Sequence, residues 1–342
     1  MKIIIFRFVK NAFLLALCIL LFLVLIPGTY HVPRPQDRKS TQYWDLPTGS
    51  RIGYTHIPAK GIRKPFPIIY LQGGPGGCVT DNNIEILAQL TYDGYDVYLY
   101  DQIGSGHSER LENIGEYTAN RHKQDLEEII KKIGAEKVIL LGQSWGAILA
   151  TLFTADNPQK VGKLILTGPG PIFPIRQELT NIKSPDSLQL RNPLYSNRQA
   201  NEKTNNLRSK FVSFCARNFH LKLAGDKEMD DFATLLNNET NKSTVCDTTK
   251  ARKTKGGSGY YAQIMTMQSL SDVRDPRTKL TNSKIPLLLM KGQCDNQKWG
   301  FATEYLELFP IHKLVVIPNA GHSISVEQPE IYVKTIRDFL NE

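Results

Sequence analysis

Residues 138–146 read Val-Ile-Leu-Leu-Gly-Gln-Ser-Trp-Gly, and the chain continues as Ala147-Ile148-Leu149-Ala150-Thr151-Leu152-Phe153. The run Val138–Leu141 has the length and composition of a strand buried on both faces, and the apolar stretch after it predicts a helix over Ala147–Ala155. Between them stands Gly142-x-Ser144-x-Gly146. A strand-to-helix turn this sharp needs residues without bulk on either side of the serine, whose backbone takes strained torsions. The turn lifts the serine oxygen above the sheet edge, with a helix N-terminus beneath it.

The same rhythm extends outward. Short apolar runs occur at Pro67–Gln72, Asp96–Asp101, Lys137–Gly142, Lys163–Thr167, Pro286–Lys291 and Lys313–Pro318. Helical stretches alternate with the first four, as in Thr118–Ile133, where Leu126, Ile129, Ile130 and Ile133 recur at three- and four-residue spacing. Strands alternating with helices predict an α/β fold, a mostly parallel sheet covered on both faces. Residues 171–283, rich in Asn, Thr, Lys and Ser, break the rhythm and read as a mainly helical cap insertion. The core is therefore expected in two pieces, 35–170 and 284–342, closed by a helix over Gln328–Leu340.

A serine hydroxyl needs a base to become a nucleophile, and the base needs a group to orient it. On this fold the chain order is Ser, acid, His. The strand Pro286–Lys291 runs into Gly292-Gln293-Cys294-Asp295, and the strand Lys313–Pro318 into Asn319-Ala320-Gly321-His322. Asp295 and His322 thus fall at the sheet edge where ligand sites of α/β proteins collect. Asp272 and Asp275 compete for the acid role. The other histidines (31, 56, 107, 122, 220 and 312) mostly lie in less suitable places. Gln72-Gly73-Gly74-Pro75-Gly76-Gly77 follows another strand, and glycines there let backbone N–H groups approach a developing oxyanion. The expected donors are the amides of Trp145 and of Gly74 or Gly73. A phosphate loop is excluded, since no G-K-[ST] follows and Pro75 removes a donor; nor does the loop read G-x-G-x-x-G.

Assembled, these residues resemble the α/β-hydrolase superfamily and, within it, the proline iminopeptidase family, over roughly 45–170 and 284–342. The family's His-Gly-Gly-Pro-Gly is matched by Gln72–Gly76, its Asp-Gln-Arg-Gly-x-Gly-x-Ser by Asp101–Ser108, and its Gly-x-Ser-Trp-Gly by Gly142–Gly146. Ser144 in place of an aspartate argues against the dehalogenase and epoxide hydrolase branches. Gln72 stands where the family has histidine and Ile103 where it has arginine, which implies looser support of the oxyanion loop. The resemblance also implies cap glutamates that read a substrate's amino terminus, here Glu178, Glu202, Glu228 and Glu239, and cap aromatics around the proline ring. Residues 171–283 contain no tryptophan.

The net charge of +9 is concentrated at the start: residues 1–40 carry +5, and the other 302 residues only +4. No basic stripe interleaved with aromatics follows, so nucleic acid is not an expected partner. Ala12–Ile26 is an unbroken apolar run preceded by Lys2, Arg7 and Lys10. That order suits a membrane anchor through residues 3–26, with residues 1–34 as anchor and linker; a cleaved signal peptide and a buried core helix are the alternatives. Either of the first two puts the hydrolase outside the cytoplasm, periplasmic or extracellular. Of Cys78, Cys215, Cys246 and Cys294, the pair Cys215–Cys246 is favoured because both lie in the insertion; four free thiols are the other expectation. None has zinc-site spacing.

The expected activity is acyl transfer through a covalent intermediate on Ser144, with no metal or organic cofactor. Its substrate is a small peptide or ester: an aminopeptidase releasing N-terminal proline is the first reading, a membrane-associated esterase or lipase the second. A non-catalytic binding protein of the same fold is the third. The sequence leaves the oligomeric state open.

Overall fold

The computed structural model describes residues 2–33, 38 and 40–342. The expected boundary at 34/35 lies outside the described residues.

Among the described residues eight strands form one sheet in the order β1-β2-β4-β3-β5-β6-β7-β8. They are β1 (Gln42–Asp45), β2 (Arg51–Ile57), β3 (Ile68–Leu71), β4 (Val97–Tyr100), β5 (Val138–Gln143), β6 (Val161–Thr167), β7 (Leu287–Gly292) and β8 (His312–Ile317). β3 to β8 are parallel and correspond to the six apolar runs. β1 and β2 add an antiparallel edge that the sequence reading did not include.

The helices are α1 (Lys2–Leu25), α2 (Asp81–Ala88), α3 (Ala119–Ile133), α4 (Trp145–Asp156), α5 (Asn197–Thr204), α6 (Leu207–Phe219), α7 (Asp226–Thr240), α8 (Tyr260–Ser269), α9 (Arg277–Leu280), α10 (Trp299–Leu308), α11 (Ile324–Glu327) and α12 (Pro329–Leu340). α5 to α9 all fall between β6 and β7.

Each central strand sends alternate side chains to two cores, the period-two geometry of a sheet buried on both faces. Ile69, Leu71, Leu140, Leu287 and Leu289 join Leu126, Ile129, Leu149 and Phe153 of α3 and α4. Ile68, Tyr70, Ile139, Leu141, Leu288 and Met290 join Ile86, Leu87, Val333 and Ile336 of α2 and α12. α4 is covered all round from Trp145 to Ala155, so it needs no polar face. Truncating its fully buried Phe153 to alanine costs about 3–5 kcal/mol on typical values. These two cores hold the sheet edge, and the loops that leave it, in fixed positions.

α1 stands apart. Ile4–Leu23 is a 20-residue apolar stretch of mean hydropathy 2.2, about 30 Å long, which matches the hydrocarbon thickness of a bilayer. Ile4, Phe6, Phe8 and Phe13 are each more than half exposed, so α1 is not a core helix of this fold.

Candidate active site

β5 delivers Gly142 and Gln143 to the C-terminal edge of the sheet, and α4 begins at Trp145. Ser144 between them has φ 54° and ψ −116°, a conformation that costs a non-glycine residue on the order of 1–3 kcal/mol. Close approaches on both sides impose it. A Cβ on Gly146 would stand 1.8 Å from the Leu71 carbonyl oxygen, and one on Gly142 2.5 Å from that of Gly146. Only glycine fits at either place.

Asp295 follows β7 by three residues and His322 follows β8 by five. His322 Nδ1 lies 2.9 Å from Asp295 Oδ1. The strand between β5 and β7 relates this pair to the serine. The Ser144 N–H donates to the Thr167 carbonyl at 3.0 Å, and a Cβ on the next residue, Gly168, would lie 2.7 Å from His322 Nδ1. Ser144, Asp295 and His322 therefore converge at the ends of β5, β7 and β8. With Nδ1 on the aspartate, Nε2 is the free ring nitrogen. Among the described residues no hydrogen bond is made to Ser144 Oγ; such bonds are often long or absent in unliganded sites.

Asp295 is buried, with its carboxylate fully covered. Burial alone would raise its pKa; the Lys291 ammonium and His322 outweigh that and hold the carboxyl down to about 2. Lys291, itself buried at the end of β7, donates to Asp295 Oδ2 at 3.2 Å and to the Gln297 carbonyl at 2.7 Å. The Gln297 N–H donates to Asp295 Oδ1 at 3.0 Å. Sequence reasoning missed Lys291. Its one signal was a lysine inside an otherwise apolar strand, four residues before the acid.

The glycine loop after β3 runs beside the serine: a Cβ on Gly73 would be 3.3 Å from Ser144 Cβ. The Trp145 N–H belongs to the first turn of α4, whose amides have no partner within the helix. Two glutamine side chains brace the glycine loop. Gln72 Nε2 donates to the Gly77 carbonyl and closes the loop on itself. Gln102 Nε2 donates to the Gln72 carbonyl at 2.9 Å, while its Oε1 accepts from Trp145 Nε1 at 3.0 Å. Gln102 thus ties the loop to the residue after the serine, and Gln72 holds its two ends together. Gln102 was legible in the sequence only as part of a motif, not as a brace.

The cap touches the site through backbone hydrogen bonds on both sides. Thr244 accepts from the Ser323 N–H at 2.8 Å, beside His322, and the Gly259 N–H donates to the Gly76 carbonyl at 2.8 Å. The four cap glutamates are engaged elsewhere or face solvent. Glu178 is exposed. Glu202 pairs with Arg198 at 2.7 Å on the surface of α5. Glu228 pairs with Arg208 and accepts from the Gly28 N–H at 2.7 Å. Glu239 pairs with Lys203 at 3.0 Å and Lys242 at 2.9 Å. None of them hydrogen-bonds to Ser144, Asp295 or His322.

The favoured cysteine pairing is overturned. Cys246 is bonded to Cys294, with Cα atoms 5.3 Å apart, and Cys215 is free. Cys215 lies buried along α6, whereas the segment carrying Cys246 reaches down to the loop before Asp295. Proximity in the sequence misled because the cap folds its two cysteines to different places. Glu327 secures the same crossing: its carboxylate accepts from the Cys246 N–H at 3.0 Å and the Gly321 N–H at 2.7 Å.

A mostly parallel sheet with a glycine-flanked serine elbow at its C-terminal edge, and an Asp–His pair beside it, defines the α/β-hydrolase fold. The family described as alpha/beta hydrolase fold matches residues 67–329, and the chain belongs to it. Its relatives include proline iminopeptidases. That of Lactobacillus delbrueckii subsp. bulgaricus is 36% identical over 126 residues, 36% of this chain and 42% of the relative, so the match spans less than half of that protein. That of Heyndrickxia coagulans is 25% identical over 310 residues, 86% of this chain and 96% of the relative. Among solved structures, an esterase from Exiguobacterium antarcticum superposes with a TM-score of 0.60 at 21% identity, covering 88% of this chain and 99% of its own; at that identity the likeness shows the fold.

Proposed function

We propose that the protein is a serine hydrolase working by acyl transfer through Ser144, His322 and Asp295. The observation that carries this reading is the 2.9 Å contact of His322 Nδ1 with a buried, ionised Asp295 at the strand ends that flank the Ser144 elbow. His322 Nε2 takes the Ser144 proton as Oγ bonds to the substrate carbonyl carbon. Asp295 holds the imidazole tautomer and stabilises its cation. The amides of Trp145 and Gly74 or Gly73 receive the oxyanion. The leaving amine or alcohol departs with the proton from His322; water, deprotonated by His322, then releases the acid and restores Ser144.

The substrate proposed first is a small peptide with N-terminal proline or a similar residue, in line with the named relatives. A second reading, a carboxylester, is favoured by one observation: Glu202, Glu228 and Glu239 are paired with basic side chains and Glu178 is exposed, so none of the four is a buried, unpaired carboxylate for a substrate ammonium. Burying that cation unpaired costs several kcal/mol. Full-length protein assayed on a prolyl amide and a short acyl ester separates the two. Amide cleavage lost on blocking the substrate amine supports the peptidase; ester cleavage alone discards it.

We further propose that α1 is a retained membrane anchor with the hydrolase outside the cytoplasm. Its length and exposure support this, as does the disulfide Cys246–Cys294, a bond that persists in oxidising compartments.

A further inference from the structure

Cap helix α6 combines a buried face with an outer face of unusual composition. Val212, Cys215 and Ala216 point into the cap. On the other side Leu207 is 63% exposed and Phe214 53%, and two residues at the end of the helix, Phe219 and Leu221, are 67% and 50% exposed. Lys210 and Arg217 are exposed on that side as well. Phe214 and Phe219 stack edge to face with centroids 5.7 Å apart, an aromatic pair left largely in solvent. From Leu207 to Leu223 the sequence has no acidic residue and five basic or histidine side chains. Aromatic and aliphatic side chains alternating with cations are what a helix needs to lie in a headgroup layer.

The fold also says what lies beside this face. Arg208, the second residue of α6, donates to the Leu23 carbonyl, at the C-terminal end of the apolar stretch Ile4–Leu23. Its partner Glu228 accepts from the Gly28 N–H. Asn206 Nδ2 donates to the Tyr30 hydroxyl at 3.1 Å, and the Tyr30 ring sits 5.5 Å from Phe232 of α7. The start of α6 is thereby latched to the point where α1 leaves a membrane. A helix about 20 Å long, pinned there at its first turn, starts at the end of the apolar stretch.

We infer that α6 docks on the face of the lipid bilayer from which α1 emerges, with Leu207, Phe214, Phe219 and Leu221 among the headgroups and Lys210 and Arg217 against anionic phosphates. The inference rests on the reading of α1 as a retained anchor. The cap is then a membrane-apposed surface rather than a freely solvated one.

The test uses full-length protein in vesicles of phosphatidylcholine and phosphatidylglycerol. Phe214→Trp reports from the proposed contact. Ile62→Trp, on the exposed loop entering β3 at the opposite edge of the sheet, is the control, and the signal of Trp44, Trp145 and Trp299 is subtracted. Brominated acyl chains should quench the Phe214→Trp signal several-fold more than the Ile62→Trp signal. Charge reversal by Lys210→Glu with Arg217→Glu should reduce that quenching. Alkaline carbonate extraction is run in parallel on the same vesicles. Equal, weak quenching at both positions in protein that resists extraction overturns the docking and leaves the anchor standing. Protein that is extracted and unquenched removes the anchor reading and the docking with it. A blue-shifted, unquenched Phe214→Trp signal that depends on protein concentration assigns the face to a second copy, and also overturns the docking.

Discussion

Lys291 Nζ holds Oδ2 of Asp295 at 3.2 Å while His322 Nδ1 lies on Oδ1 at 2.9 Å. Asp295 is thus shared between an imidazole and a lysine side chain inside the core. The Lys291 charge is among the causes that hold the buried Asp295 carboxyl down.

Replacing Lys291 should therefore let the Asp295 carboxyl rise from its depressed value. Lys291→Met is expected to narrow the acid pH window over which stability is lost, and Lys291→Arg to restore it in part. The same change leaves a buried carboxylate with one cation fewer. Breaking such pairs costs about 3–5 kcal/mol, and the remaining bonds to His322 and Gln297 put the loss near the lower end. Urea unfolding at neutral pH and over an acid pH series measures the two effects separately.

Asp295 also sets a pH dependence of stability. Its carboxyl is held at about 2 in the fold against an ordinary 3.8. A depressed acid contributes stability that is complete above the unfolded value and is lost as pH falls through the folded one. The window is thus pH 4 to 2, and the size is on the order of 2 kcal/mol. Asp295→Asn should flatten that stretch of the stability curve, read from urea midpoints at a series of acid pH values. An unchanged slope would mean that another carboxylate carries it.

The Cys246–Cys294 bond closes a span of 48 residues and joins the cap to the residue before Asp295. On the chain-entropy account, a loop of that length stabilises by about 4 kcal/mol. Reduction, or Cys246→Ser with Cys294→Ser, should lower stability by up to that amount. It should also loosen residues 243–247 over the His322 loop, visible as faster amide exchange there. Exchange that stays slow at 243–247 would assign the crossing to Glu327 instead.

The central sheet was legible because β3 to β7 are mostly buried on both faces and the runs of β3 to β8 are almost wholly apolar. β1 and β2 were not: β1 is four residues long with only Tyr43 and Trp44 apolar, and its short hairpin with β2 is held by side-chain stacking, Trp44 on Tyr54 at 3.5 Å. The placing of Ser144, Asp295 and His322 near one another was legible because each follows the end of a parallel strand. Lys291 and Gln102 act through side-chain reach across the sheet edge, which no spacing rule encodes. The cap resisted for the same reason. Glu228 reads as a candidate substrate ligand until the fold brings Arg208 and Gly28 to it, and Cys246 reads as a partner for Cys215 until the segment turns toward β7.

The most direct test of the proposed chemistry is covalent labelling of full-length protein with a fluorophosphonate, followed by peptide mass spectrometry and assay on amide and ester substrates. The account predicts a single adduct on Ser144, formed slowly in His322→Ala and absent in Ser144→Ala, together with loss of turnover in both variants. Adduct on another residue, or undiminished turnover by Ser144→Ala, would contradict it.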